Sequence, residues 1–339
     1  MTPTDATVSE DVPRPFGLAV PDYKKMGIPG PYFGDAVWSH LQELDANSGL
    51  FQYIPLDVIP FPDGAEKVIV GENCRDKVIY VVHSLYTIPA RHVLLGAQYC
   101  DSIVRSDAEK VHLVELFNPH YRQDARKDRE PITAKLVADL YHLSGMDTMY
   151  TADPHSKQLA GFFRKFEPLP MTRRLAKRVR NSYDLSNAVV ASADGGSEDR
   201  AELFANLLGL PLVKIHKERV AGDDVRVKAI LGDVDGKDVY LRDDIISTGG
   251  TTVKDAAALR EQGARLVYNV STHLELCGGA RERLREHDIR VIGTNSVPQI
   301  ISEEESHHID VVDISDIIAS VIYTKARMGS LRGFFRERE

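Results

Sequence analysis

Cysteine is scarce in this sequence: Cys74, Cys100 and Cys277 are the only three in 339 residues. An odd and widely scattered trio offers neither a disulfide framework nor the ligand spacing of a zinc site, so reduced thiols in a cytoplasmic protein are expected. Long apolar runs are also missing. None approaches the ~20 residues that a membrane-spanning helix requires, which excludes an integral helical membrane protein. The opening MTPTDATVSEDVPRP lacks the basic-then-apolar pattern of a secretory signal, and residues 1–15 read as a flexible tail. Positive charge is in deficit, with 42 Lys and Arg against 50 Asp and Glu and a net charge of −8. That balance argues against nucleic acid as a partner, which needs a basic footprint, but leaves room for a small anionic substrate at a local site. What is present is an ordinary soluble composition, 43% hydrophobic and 27% charged, in a chain long enough for two domains.

From Lys77 onward, short β-branched runs alternate with helical stretches. Val78–Ser84, Val111–Phe117 and Thr148–Ala152 read as strands, with helices at Pro89–Val104 and Thr133–Ser144 between them. After a basic stretch near Met171–Arg180 the rhythm restarts. Ala188–Ala193, Leu212–Ile215, Asp238–Leu241, Arg265–Ser271 and Arg290–Gly293 are strand-like, and Glu198–Leu208, Thr252–Glu261 and Ala280–Glu286 helical. Strands alternating with helices predict an α/β fold whose mainly parallel sheets carry helices on both faces. Two halves of similar size follow, 16–167 and 168–339.

The most informative segment is Asp238–Thr252, DVYLRDDIISTGGTT. An apolar strand ends in Asp243 and Asp244, and a turn of Thr248, Gly249, Gly250, Thr251 and Thr252 opens a helix. Glycines let peptide N–H groups face an anion, a helix N-terminus adds its positive dipole end, and the threonines add hydroxyl donors. The acid pair suits ribose hydroxyls, or Mg²⁺ held between sugar and phosphate. A solvated strand-to-helix turn is the bland alternative, but the full string is far rarer than a bare Thr-Gly-Gly. It resembles the 5-phosphoribosyl diphosphate loop of type I phosphoribosyltransferases and PRPP synthetases, except that Ser247 stands where that loop often carries a third acid.

Other segments resemble the PRPP synthetases (ribose-phosphate pyrophosphokinases) in particular. Phe117–Lys135, FNPHYRQDARKDREPITAK, is similar to their Arg-Gln-Asp and Arg-Glu-Pro-Ile stretch, about two residues shorter in its outer loop. Thr151–Phe163, TADPHSKQLAGFF, is similar to their Asp-Leu-His segment, and SADGGSEDR at 192–200 to their Asp-x-Gly-Gly segment. KIHKER at 214–219 is similar to a Lys-x-Arg pair on a mobile loop, and FPDGAE at 61–66 to a Phe-x-Asp-Gly-Glu loop, here with Ala65 inserted. Taken singly, each would more often be a charged surface loop or an ordinary turn. Together they fall in the family's order, strongest from Lys77 to Asp313.

The resemblance implies two phosphoribosyltransferase-type domains, ATP and ribose 5-phosphate as substrates, and Mg²⁺ as the metal. Phe61, Asp63, Glu66, Arg122, Gln123 and His155 are the implied ATP-side residues, with Phe61 reaching a neighbouring subunit. Asp194, Asp243, Asp244 and Thr248–Thr252 are implied for ribose 5-phosphate, His155 and Asp194 for metal, and Lys217 and Arg219 as a catalytic clamp. A homodimer or higher homo-oligomer, up to a hexamer, is implied too. Two other readings stay open here. One is a nucleobase phosphoribosyltransferase, which shares only the phosphate loop. The other is a non-catalytic regulatory subunit, which Ser247 and the shortened loops would suit.

Overall fold

Seven strands of the first half pair into one sheet: β1 (Phe16–Pro21), β2 (Phe51–Pro60), β3 (Glu66–Val70), β4 (Val78–Val82), β5 (Lys110–Val114), β6 (Thr148–Ala152) and β7 (Phe166–Leu169). The computed structural model describes residues 15–30, 32–84, 88–193, 196–221 and 224–331, with the side chains of 219–226 outside that description. Helices α1 (Phe33–Asp45), α2 (Pro89–Val104) and α3 (Thr133–Leu143) cover the sheet. Its order is β3-β2-β1-β4-β5-β6-β7, parallel throughout except for the β2–β3 hairpin at one edge. The VIYVV of β4 is apolar on both faces because both faces are covered. Edge strand β3 instead alternates between half-buried and exposed residues.

The second half repeats the plan. It contains α4 (Thr172–Ser182), β8 (Ala188–Ser192), α5 (Glu198–Leu208), β9 (Leu212–Ala221), β10 (Asp224–Leu231), β11 (Asp238–Ile246) and α6 (Gly250–Glu261). After these come β12 (Leu266–Leu274), α7 (Ala280–Glu286), β13 (Ile289–Thr294), β14 (Ile309–Val312) and α8 (Ser315–Ala326). The sheet order β10-β9-β8-β11-β12-β13-β14 matches the first sheet position for position, again with an antiparallel hairpin at the β9–β10 edge. The α/β reading from the alternation is therefore met twice. Strands β1 to β3 lie where the alternation was not legible, before Lys77.

One packing feature crosses the halves. Helix α8, last in the chain, buries Ile318, Ala319, Val321 and Ile322 in the same cluster as Phe33, Val37 and Leu41 of α1. Its apolar side completes the core of the first sheet, although its sequence position assigns it to the second half.

In each sheet the strand order reverses between two parallel neighbours, β1 and β4 in the first, β8 and β11 in the second. Chain segments leaving such neighbours diverge to opposite sides and leave a crevice at the strands' carboxyl ends. The acid pair and the phosphate loop leave β11 at that point.

Candidate active site

Gly249 takes φ of +74°, a backbone region that L side chains rarely adopt, and lets β11 turn sharply into α6. A Cβ there would press on Leu284 Cγ at 3.3 Å, whereas one on Gly250 would meet only Thr248 Oγ1, at 3.8 Å. Space therefore lies open over the N-terminus of α6, where the first backbone N–H groups have no intrahelical acceptor. Thr251 is exposed, and so is Thr248, whose carbonyl accepts from Arg283 Nη1 of α7. Thr252 departs from expectation: it is buried, and its hydroxyl oxygen accepts from Asn269 Nδ2 at 3.3 Å. The helical turn carries that side chain inward, so Thr248 and Thr251 remain as the exposed hydroxyls. Ser247 Oγ lies 3.3 Å from Cys277 Sγ.

The first half faces this loop with the turn after β6. Asp244 Oδ2 lies 2.7 Å from His155 Nδ1 across the boundary. The hydrogen bond to Asp244 raises the His155 imidazole above its ordinary value of 6.5, with burial opposing it. Burial alone would raise Asp244, but His155 and Arg200 hold its carboxyl well below the usual carboxylate range. The pair is thus biased toward imidazolium and carboxylate. His155, expected as a metal ligand, engages Asp244 through Nδ1. Asp243 is half-buried, and its Oδ1 accepts from the Asp244 N–H at 2.8 Å.

Arg122 Nη1 approaches Glu275 Oε2, at the end of β12, at 3.7 Å. Gln123 is exposed and fixed at the start of α3, its Oε1 accepting from Thr133 Oγ1 at 2.5 Å. Arg200 Nη2 donates to the Pro154 carbonyl at 2.7 Å. Glu275 and Arg200 were not singled out from the sequence. Arg200 closes the SADGGSEDR string and could have been found there; Glu275 sits in no recognisable motif. Asp194 lies outside the described residues, as does the Arg219 side chain.

Four expected residues stand elsewhere. Lys217 is on strand β9, and its Nζ donates to Asp255 Oδ2 of α6 at 2.8 Å. Phe61 is 44% exposed at the β2–β3 turn, where the Asp63 carboxylate caps the turn by accepting from the Ala65 N–H at 2.9 Å. Glu66 is engaged by the Arg91 guanidinium, with Nε to Oε2 at 2.8 Å.

Among the described residues, His83, His92 and Glu115 form the one group of three potential metal ligands. The two rings are stacked with centroids 3.7 Å apart, and Glu115 already accepts from Tyr121 at 2.5 Å and Tyr141 at 2.6 Å. Parallel rings cannot aim both lone pairs at one ion, so this is a buried polar network.

Comparison with known proteins identifies the family. Residues 34–145 match the model of the N-terminal domain of ribose phosphate pyrophosphokinase, and 226–336 that of the phosphoribosyl synthetase-associated domain. A ribose-phosphate pyrophosphokinase of Helicobacter hepaticus is 34% identical over 81% of this chain and 89% of its own. One from Corynebacterium efficiens is 33% identical over 89% and 94%. The crystal structure of phosphoribosylpyrophosphate synthetase from Mycobacterium smegmatis superposes with a TM-score of 0.78 at 30% identity, covering 93% of this chain and 99% of that one. Repeated sheets, the strand-to-helix turn at Thr248–Thr252 whose strand meets His155 of the other half, and this extent of similarity lead to one conclusion: the chain belongs to the ribose-phosphate pyrophosphokinase family.

Proposed function

We propose that the chain transfers the β,γ-diphosphate of ATP to the 1-hydroxyl of ribose 5-phosphate, releasing AMP. The observation that carries this reading is the His155–Asp244 contact, which sets the phosphate loop of one half against the Arg122 and His155 turns of the other. Ribose 5-phosphate places its phosphate over the N-terminus of α6, on Thr248, Gly249, Gly250 and Thr251, and its hydroxyls on Asp243 and Asp244. ATP enters from the first half, with Arg122 and Gln123 near the base and His155 toward the phosphates. The sugar oxygen attacks the β-phosphorus, the bond from that phosphorus to the α-phosphate oxygen breaks, and the hydroxyl proton is lost. Positioning and electrostatics supply most of the catalysis in such transfers.

Asp243 is an oxygen donor of the kind Mg²⁺ takes, beside the open space at the loop. When bound, Mg²⁺ neutralises phosphate oxygens. Arg219, with Lys217 once it leaves Asp255, stabilises charge on the transferring group. An exposed Phe61 on a hairpin tip suits insertion beside a neighbouring subunit's adenine, which makes the active form at least a dimer. Sedimentation at assay concentration tests this, and a fully active monomer would refute it. A cytoplasmic setting fits the absence, among the described residues, of any helix long and apolar enough to cross a membrane, together with free cysteines.

Incubation with ATP, Mg²⁺ and ribose 5-phosphate, followed by phosphorus NMR, tests the reaction. AMP and a new diphosphate ester in equal amounts are expected. A folded chain that makes neither would be a regulatory subunit, and consumption of phosphoribosyl diphosphate with a free nucleobase would identify a phosphoribosyltransferase instead.

A further inference from the structure

Arg242 is fully buried, on β11 immediately before the acid pair, yet it reaches into the other half of the molecule. Its Nη2 donates to Asp153 Oδ2 at 3.2 Å, Thr272 Oγ1 at 3.0 Å and Thr172 Oγ1 at 3.4 Å. Its Nη1 donates to the Val270 carbonyl at 3.2 Å and to the Asp243 carbonyl. Asp153 is as heavily engaged: Oδ2 accepts from Thr272 Oγ1 at 2.5 Å, and Oδ1 from the Met171 N–H at 3.2 Å. It also carries φ of +30°, an unfavourable value for a residue with a Cβ, two positions before His155. Such a conformation persists only where its surroundings over-determine it, and here the surroundings are the guanidinium, the hydroxyl and the amide on its carboxylate.

We propose that Arg242 is a positioning residue for the transfer reaction: by clamping Asp153 across the two halves it holds the 153–155 turn in shape and so delivers the His155 imidazole to Asp244. The arrangement is mechanical. Asp153 is fixed by Arg242 and Thr272, the Pro154 carbonyl by Arg200, and His155 by Asp244, so three consecutive residues of the first half are each held by the second. A fully buried guanidinium bonded to five groups leaves little freedom to the turn it holds. A hydrophobic residue at 242 would pack the sheet equally well, but would leave the turn without its anchor. The proposal rests on the functional reading above only for its kinetic consequence.

The test is designed so that the two readings fail separately. In the free protein, histidine-ring NMR should show a downfield N–H proton for the His155–Asp244 bond, assigned by its loss in His155→Gln. Arg242→Met should abolish that resonance and lower kcat by on the order of 10²-fold, as misplacement of a group at the reacting phosphates does, a larger effect than on KM for either substrate. Arg242→Lys, which keeps the charge but not the planar fork, should restore part of both. Should Arg242→Met fail to fold, Arg242→Met with Asp153→Asn leaves no uncompensated buried charge and takes its place. A folded variant of either kind that keeps the resonance would overturn the proposal, as would loss of folding in all of them, which would assign the pair to stability alone. If the wild-type chain shows no transfer activity, the proposed function fails and the resonance alone decides the clamp.

Discussion

Lys217 Nζ lies 2.8 Å from Asp255 Oδ2, one turn inside the helix that opens from the phosphate loop. The lysine side chain is 13% exposed and the aspartate 1%. A cation expected to clamp the transferring phosphates is here part of a buried ion pair beneath the loop's own helix. Removing it alone leaves a carboxylate in a poor solvent, so Lys217→Ala should cost about 3 kcal/mol of stability by chemical denaturation. Adding Asp255→Asn should recover most of that loss. Arg219→Ala, by contrast, should lower kcat about a hundredfold and leave stability unchanged, because transition-state charge stabilisation is what it removes. Full turnover in Arg219→Ala would dismiss the clamp.

The His155–Asp244 pair sets a pH window. The imidazole is raised above 6.5, so its contribution is complete below that value and is lost as pH rises through the folded value. The carboxyl is lowered from 3.8, so its contribution is complete above that value and fades as pH falls toward the folded one. Both are fully present between those two ordinary values. The stability difference between the wild type and His155→Gln should be largest there and shrink on either side. A difference independent of pH would show that the contact is not ionic.

The two loop glycines should separate stability from binding. Gly249→Ala must hold an L side chain at φ of +74°, at a cost of about 1–2 kcal/mol of stability. Gly250→Ala meets nothing closer than 3.8 Å and should fold normally. Its methyl group would occupy the space above the α6 N-terminus and weaken ribose 5-phosphate binding in calorimetric titration. Undiminished binding would place the phosphate elsewhere.

Asp243→Ala should weaken ribose 5-phosphate binding by about 1.5–3 kcal/mol, the worth of a hydrogen bond to a charged group, with ATP affinity spared. If binding of the sugar phosphate is unchanged, Asp243 serves only the backbone, through its bond to the Asp244 N–H, and the sugar-site assignment falls.

Helix α8 offers a test of packing across the chain. Ile318 is fully buried against the first sheet's cluster, so Ile318→Ala should cost about 2–5 kcal/mol. Proteolysis should then cut first in residues 16–167, although the substitution lies far outside them in sequence. Cleavage confined to 168–331 would show that α8 does not support the first half.

Much of this protein was legible in its sequence because the relevant signals are local. Alternating β-branched and amphipathic runs specify a parallel α/β sheet wherever both faces are to be covered, and an acid pair ahead of Thr-Gly-Gly-Thr-Thr marks a sharp strand-to-helix turn. The first three strands escaped because β3 is a half-exposed edge with no continuous apolar run, while Gly17 and Pro21 in β1 and Pro55 and Pro60 in β2 read as strand breakers. What tertiary structure alone decided is which charges meet. Arg242 is followed in β11 by Asp243 and Asp244, yet the carboxylate it bonds is that of Asp153, 89 positions earlier. Lys217 reads as half of an exposed clamp until α6 folds over it and presents Asp255. Glu66 reads as part of a turn motif until α2 brings Arg91 alongside. Local propensity depends on neighbours a few residues away, whereas a buried charge takes its partner from whatever element is packed against it.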